Sequence, residues 1–127
     1  LILGLSLERK RLYSSIDRRV DLMLQKGWVQ EVEYLLHLGY SSEDRALSSL
    51  GYRELISHIR GYSTLEQTTH LIKSATHRFA RNQETWFRLG DPRICWLDAD
   101  ETLYGNASVL VRSFLSAGLN PCATMNT

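Results

Sequence analysis

Apolar residues recur at helical spacing along most of this chain, and glycines mark where each run stops. The longest run, Thr64 to Leu89, organises the rest. At about 100° per residue, Leu65, Thr68, Ile72, Ala75, Phe79 and Trp86 fall on one apolar stripe. His70, His77, Arg81 and Arg88 gather on the opposite side. Ser63-Thr64-Leu65-Glu66 reads as a capping box, with Ser63 accepting from the first turn and Glu66 reaching back. Gly90 and then Pro92 close the other end. The pattern predicts a long amphipathic helix with a basic outer edge.

One residue breaks the stripe. Gln83 projects between Phe79 and Trp86, where a buried amide costs about 1–3 kcal/mol unless its donors and acceptor are matched. Two readings follow. Gln83 is a core residue satisfied by neighbouring backbone, or the helix end faces a groove whose occupant it touches. Periodicity alone favours the first.

The other elements follow in order. Leu1 to Leu5 is a continuous apolar run, the mark of a strand buried on both faces. Glu8 to Lys26 is a second amphipathic helix, with Leu12, Ile16, Val20 and Met23 inward and Gly27 as its stop. Trp28 to Leu38 is a shorter one, carrying Val29, Val32, Leu35 and Leu36, and it ends at Gly39. Tyr40 to Arg45 is a polar turn. Ala46 to Leu50 begins a helical approach broken or bent at Gly51. Tyr52 then opens a helix to Arg60 with Leu55, Ile56 and Ile59 inward. A glycine between two helical pieces marks either close approach of the backbone to a partner or a plain helix junction. Arg93 to Leu97 reads as a second short strand. Asp100 to Ala117 is a closing helix with Ala107, Leu110, Val111 and Phe114 on one face, and Asn120 to Thr127 is a fraying tail. The two strands are orphans with few candidate neighbours, so the expectation is a mostly α-helical fragment of a larger fold.

Composition sets bounds. The 127 residues, 43% hydrophobic and 23% charged, suit one globular domain or part of one. No apolar run is long enough to span a bilayer and no signal peptide opens the chain, so no membrane partner is expected. Cys95 and Cys122 read as isolated, with neither metal-ligand nor disulfide spacing, which fits a reducing cytoplasm. Net charge is only +1, but the charges are segregated. Arg9, Lys10, Arg11, Arg18, Arg19 and Lys26 face only Asp17 and Asp21 across residues 9–26. Arg53, Arg60, Lys73, Arg78, Arg81, Arg88 and Arg93 outnumber Glu54, Glu66, Glu84 and Asp91 across residues 53–93. Glu31, Glu33, Glu43 and Asp44 lie between. Arginines clustered on helices suit phosphate contacts, although a solvated helix face gives the same pattern. Arg19 lies at the border of its apolar stripe. It is placed either to lay its stem along the core or to reach an anion beside the helix.

Catalytic chemistry is missing. There is no Gly-rich phosphate loop, no paired-carboxylate constellation and no nucleophile elbow. His37, His58, His70 and His77 lack metal-binding spacing, so no metal site is expected within the chain.

The order of short motifs is more informative. Gly51-Tyr52-Arg53-Glu54, Leu65-Glu66, Ile72-Lys73, Thr76, Ala80-Arg81, Gln83, Thr85-Trp86-Phe87-Arg88 and Trp96-Leu97-Asp98 resemble the C-terminal part of the tRNA dimethylallyltransferase family. Leu12-Tyr13, Ile16, Arg19-Val20-Asp21, Met23-Leu24, Gly27 and Glu31-Val32 match the same family in the same order. The resemblance covers residues 1–98 and weakens over 99–127, the closing helix and tail. It implies an α/β, P-loop-like, nucleotide-binding (ATP-binding) fold in the full enzyme, Mg2+ bound outside this chain, and a monomer. It also implies transfer of a dimethylallyl group from dimethylallyl diphosphate to the exocyclic amine of the adenosine 3′ to the anticodon of tRNA. The base would be extruded from the anticodon stem-loop. By the same resemblance, Arg19 contacts the diphosphate. Ser48, Ser49, Leu50, Gly51, Tyr52 and Arg53 form one tRNA-contacting segment. Arg81, Asn82, Gln83, Glu84, Thr85, Trp86, Phe87 and Arg88 form another, with Gln83 and Trp86 lining the nucleotide channel.

No catalytic residue is implied within the chain, because the family's P-loop, catalytic aspartate and helical insertion lie upstream. His77 and Asn82 stand where the family usually has Arg, Ser48 or Ser49 where it has Arg or Cys, and Ser15 where Arg is common. Two other readings stay open: a non-catalytic helical RNA-binding module, and an adenylate prenyltransferase acting on free nucleotide. A P-loop upstream would separate enzyme from module.

Overall fold

A computed structural model describes residues 1–118; Cys122 and the Asn120 to Thr127 tail lie outside the described residues. The elements are β1 (Ile2–Ser6), α1 (Arg9–Gln25), α2 (Trp28–His37), α3 (Tyr52–Ile59), α4 (Leu65–Trp86), β2 (Ile94–Asp98) and α5 (Leu103–Ala117). This is the mostly helical chain with two short strands that the pattern predicts. It divides into two units, Leu12–Arg81 and Leu1–Arg11 together with the chain from Asn82 onward.

The first unit has a single core of Val20, Trp28, Val32, Leu47, Leu55, Ile56 and Ile72. Six of these sit at positions that the helical period turns inward, and each such side chain stabilises by about 2 kcal/mol when fully buried. Leu47 is different. The stretch from Ala46 to Leu50 forms hydrogen-bonded turns and not the expected start of a helix. The Ser48 and Ser49 hydroxyls donate to the carbonyls of Arg45 and Ala46 at 2.9 and 2.6 Å, and such local bonds compete with a helical ladder. Leu47 pins the turn into the core.

Gly51, at φ 94° and ψ −52°, makes the junction to α3. A Cβ there would collide with the indole of Trp28, so the close approach is to α2 of the same chain. At α4 the capping box lies one residue later than its sequence signature. Thr64 Oγ1 accepts from the Gln67 N–H at 3.2 Å, and Gln67 Oε1 accepts from the Thr64 N–H at 2.9 Å. Ser63 is occupied elsewhere. Its hydroxyl meets that of Thr68 at 2.8 Å, and Thr68 is fully buried, where an unmatched hydroxyl would be costly.

In the second unit the two orphan strands pair with each other. β1 and β2 run parallel in the register Ile2↔Ile94 to Ser6↔Asp98. A Cβ on Gly4 would come 2.6 Å from the Trp96 ring, so the glycine admits the indole. β1 is not buried on both faces. Leu1, Ile2 and Leu5 are exposed, because the faces of a strand are covered by elements packed on the sheet and not by the strand paired at its edge. α5 packs on β2 through Leu110. It begins at Leu103 and not at Asp100, whose carboxylate instead accepts from the Thr102 N–H and hydroxyl at 2.8 and 2.7 Å. Cys95 is buried in β2.

Candidate nucleic-acid interface

α4 changes character along its length. Its first half buries Thr68 and Ile72. The expected stripe does not continue as core. Phe79 is 59% exposed and Trp86 82% exposed, because the core of the first unit closes at Ile72. Gln83 is exposed as well, which overturns the reading of a buried core amide. The helix stops at Trp86, short of Leu89. The last helical bond runs from the Phe87 N–H to the Gln83 carbonyl at 2.8 Å, and a turn from Arg88 to Asp91 then redirects the chain toward β2.

What remains over residues 81–88 is a run of exposed cations, rings and amides. Arg81 and Arg88 form no ion pair among the described residues. Glu84 is paired with Arg9 at 3.0 Å, both well exposed. The Thr85 hydroxyl donates to the Asn82 carbonyl at 2.7 Å. Trp86 and Phe87 present open ring faces beside Arg88. Rings with interleaved cations suit a single-stranded nucleic acid, whose bases stack while its phosphates are neutralised.

The segment from Ser48 to Arg53 is built around a residue outside it. Glu54 Oε2 accepts from the Gly51 N–H at 2.7 Å, while Oε1 accepts from Arg53 Nη2 at 2.7 Å and Nε at 3.2 Å. Burial pushes this carboxyl up, but the bonds from Arg53 and Gly51 outweigh it and hold Glu54 below its usual 4.5. Tyr52 donates to Glu31 at 2.6 Å and meets Trp28 edge-on at 5.7 Å. The hydrogen bond to Glu31, with burial, keeps the phenol protonated above its usual 10.0. Ser48, Ser49, Leu50 and Arg53 are exposed, Tyr52 is half-buried, and Gly51 is buried. Glu54 stands three residues after the glycine, the spacing of a capping box, so that signal was present in the sequence. Nothing local marked Glu31.

Arg19 is exposed on α1 and forms no ion pair among the described residues. The acids on either side of it are both engaged by α4. Asp21 meets Lys73 Nζ at 2.7 Å. Asp17 Oδ1 and His77 Nε2 lie 2.9 Å apart, without hydrogen-bond alignment. Tyr13 stacks on the His77 ring at 4.2 Å with 6° between the planes. His77 therefore does not belong to the basic outer edge. It faces α1, drawn there by the carboxylate and the phenol.

Among the described residues, no cluster of His, Cys, Asp or Glu could hold a metal ion, and no helix is long and apolar enough to cross a membrane.

The family model described as IPP transferase matches residues 1–90. The chain belongs to that family. The tRNA dimethylallyltransferase of Desulforudis audaxviator is 48% identical over 101 residues, which is 80% of this chain and 32% of that protein. The tRNA dimethylallyltransferase of Dehalococcoides mccartyi is 38% identical over 118 residues, 93% of this chain and 36% of its own length. A crystal structure of the full-length tRNA isopentenylpyrophosphate transferase of Bacillus halodurans aligns with a TM-score of 0.80 at 28% identity. The match covers 99% of this chain and 41% of that one. The chain thus spans about a third of the length of the curated relatives it matches.

Proposed function

We propose that this chain is the C-terminal, RNA-contacting part of a cytoplasmic tRNA dimethylallyltransferase. The substrates are dimethylallyl diphosphate and the anticodon stem-loop, and the acceptor is the exocyclic amine of the adenosine 3′ to the anticodon. The observation that carries the reading is a pair of cations that form no ion pair among the described residues, Arg81 and Arg88, interleaved with the exposed rings of Trp86 and Phe87. RNA phosphates and unstacked bases are the ligands such a surface fits. Gln83, on the same exposed stretch, offers donors and an acceptor to a base edge. Ser48 to Arg53 supply a second RNA contact, held in shape by Glu54. Arg19 takes the diphosphate, where a fixed cation stabilises charge developing on the leaving group. By the same resemblance magnesium would be held outside this chain, and no step performed by these residues depends on it.

The test is tRNA affinity against salt, alongside single-turnover transfer rates, in the full-length protein that carries this chain. Arg81→Ala with Arg88→Ala weakens tRNA binding and shallows the log–log salt slope by about one unit or less per arginine. Donor binding stays intact. Arg19→Ala lowers the transfer rate and leaves tRNA affinity and slope in place. Equal loss of tRNA affinity in Arg19→Ala and the double variant would refute separate donor and RNA sites. Transfer to free adenylate but not to the stem-loop would point to a nucleotide prenyltransferase instead, and RNA binding without any transfer would point to a binding module.

A further inference from the structure

We infer that Asp17 and Asp21 of α1, with His77 and Lys73 of α4, are positioning residues for Arg19. They fix the rotation of α1 about its axis and so the direction in which Arg19 is presented. The inference rests on Arg19 as the diphosphate contact.

Tyr13, Asp17 and Asp21 recur every fourth residue on one face of α1, and Lys73 and His77 do so on α4. The pairs run in antiparallel order, Asp17 to His77 at 2.9 Å and Asp21 to Lys73 at 2.7 Å. The stack of Tyr13 on His77 at 4.2 Å extends the same seam by one turn of α1. Aspartate is the shortest acid, so the hydrogen-bonded Lys73–Asp21 pair and, one turn away, His77 held between Asp17 and the Tyr13 ring limit how far the helix rolls. Residues two apart on a helix lie about 200° around its axis. With Asp17 and Asp21 turned to α4, Arg19 is turned away from it. With both acids occupied, neither folds back to neutralise Arg19, which stands exposed and without an ion pair among the described residues.

The remaining contacts cannot set this angle as sharply. Val20 is buried, but Leu12, Ile16 and Met23 are only half-buried, and apolar packing is non-directional. A 20° roll swings a group ~6 Å from the helix axis by ~2 Å, and a misplacement of ~1 Å can cost ~100-fold in a positioned group. The acids of both pairs are 41% and 47% exposed. Contacts so open to water add little to global stability, so the donor KM and not unfolding is the quantity that reads them.

The test uses the full-length protein with dimethylallyl diphosphate as the probe. Asp17→Asn with Asp21→Asn raises the donor KM by about tenfold, while tRNA Kd moves by less than about twofold. Lys73→Arg, which keeps the charge, holds the donor KM near that of the parent. In an Arg19→Ala background the same double substitution adds less than about twofold, because its effect passes through Arg19. Asp21→Asn alone is the milder variant if the double one unfolds, and circular dichroism checks each. A folded double variant with the parent's donor KM overturns the inference and leaves Arg19 as the diphosphate contact. Full additivity with Arg19→Ala, or equal loss of donor and tRNA binding, overturns it in the same way. An Arg19→Ala variant with unchanged donor KM removes the reading of Arg19 and this inference together.

Discussion

Glu54 shows how one side chain shapes a surface it does not itself present. It closes the Gly51 N–H and holds Arg53, so the turn ahead of α3 has a defined form. Its folded pKa lies below the usual 4.5, so at acid pH the unfolded chain binds more protons at this site than the folded one does. The stabilisation is therefore present above the unfolded value and is lost as pH falls through the folded one. Glu54→Gln costs about 1 kcal/mol at neutral pH, kept small because Arg53 is largely exposed. In thermal unfolding of the full-length protein, the gap between parent and variant narrows as pH falls below the usual 4.5. A gap that persists unchanged at the acid end would mean that the carboxylate charge is not what holds the turn.

At the scale of the element, α4 is the informative case. Its N-terminus is closed by Thr64 and Gln67, although Ser63 and Glu66 carry an equally good signature one residue earlier. Thr64→Ala is expected to cost about 1 kcal/mol, seen as roughly fivefold faster hydrogen exchange of the first-turn amides. Glu66→Ala should stay within about 0.5 kcal/mol, as surface substitutions do. The reverse ranking would place the cap where the sequence signature does. The same helix serves two ends. Ile72 and Thr68 bind its first half to a core, and the residues from Arg81 to Trp86 at its other end are exposed.

At the scale of the whole molecule, the described sheet has two strands. Among the described residues β1 and β2 pair only with each other, with Ile2 and Leu5 exposed, and two strands alone are marginal in water. Residues 1–127 in isolation should aggregate through these edges, or unfold broadly while keeping helical circular dichroism. They should not transfer a prenyl group to an anticodon stem-loop. A sharp monomeric transition would show that the sheet is complete as it stands.

Hydrophobic period and glycine spacing were enough to place the seven elements of the described residues, since local sterics and burial act residue by residue. The motif order was enough to identify the family. The sequence could not show where capping and burial stop. Ser63 lost the cap to Thr64 because Thr68, five residues on, is buried and needed its hydroxyl. Periodicity put Gln83 and Trp86 inward because it counts turns, whereas burial requires an element on the other side, and the core ends at Ile72. His77 looked like part of a basic outer face until Asp17 and Tyr13 of another helix came against it. Each of these outcomes depends on groups far apart in the chain or on the extent of the core, and only the tertiary structure brings those together.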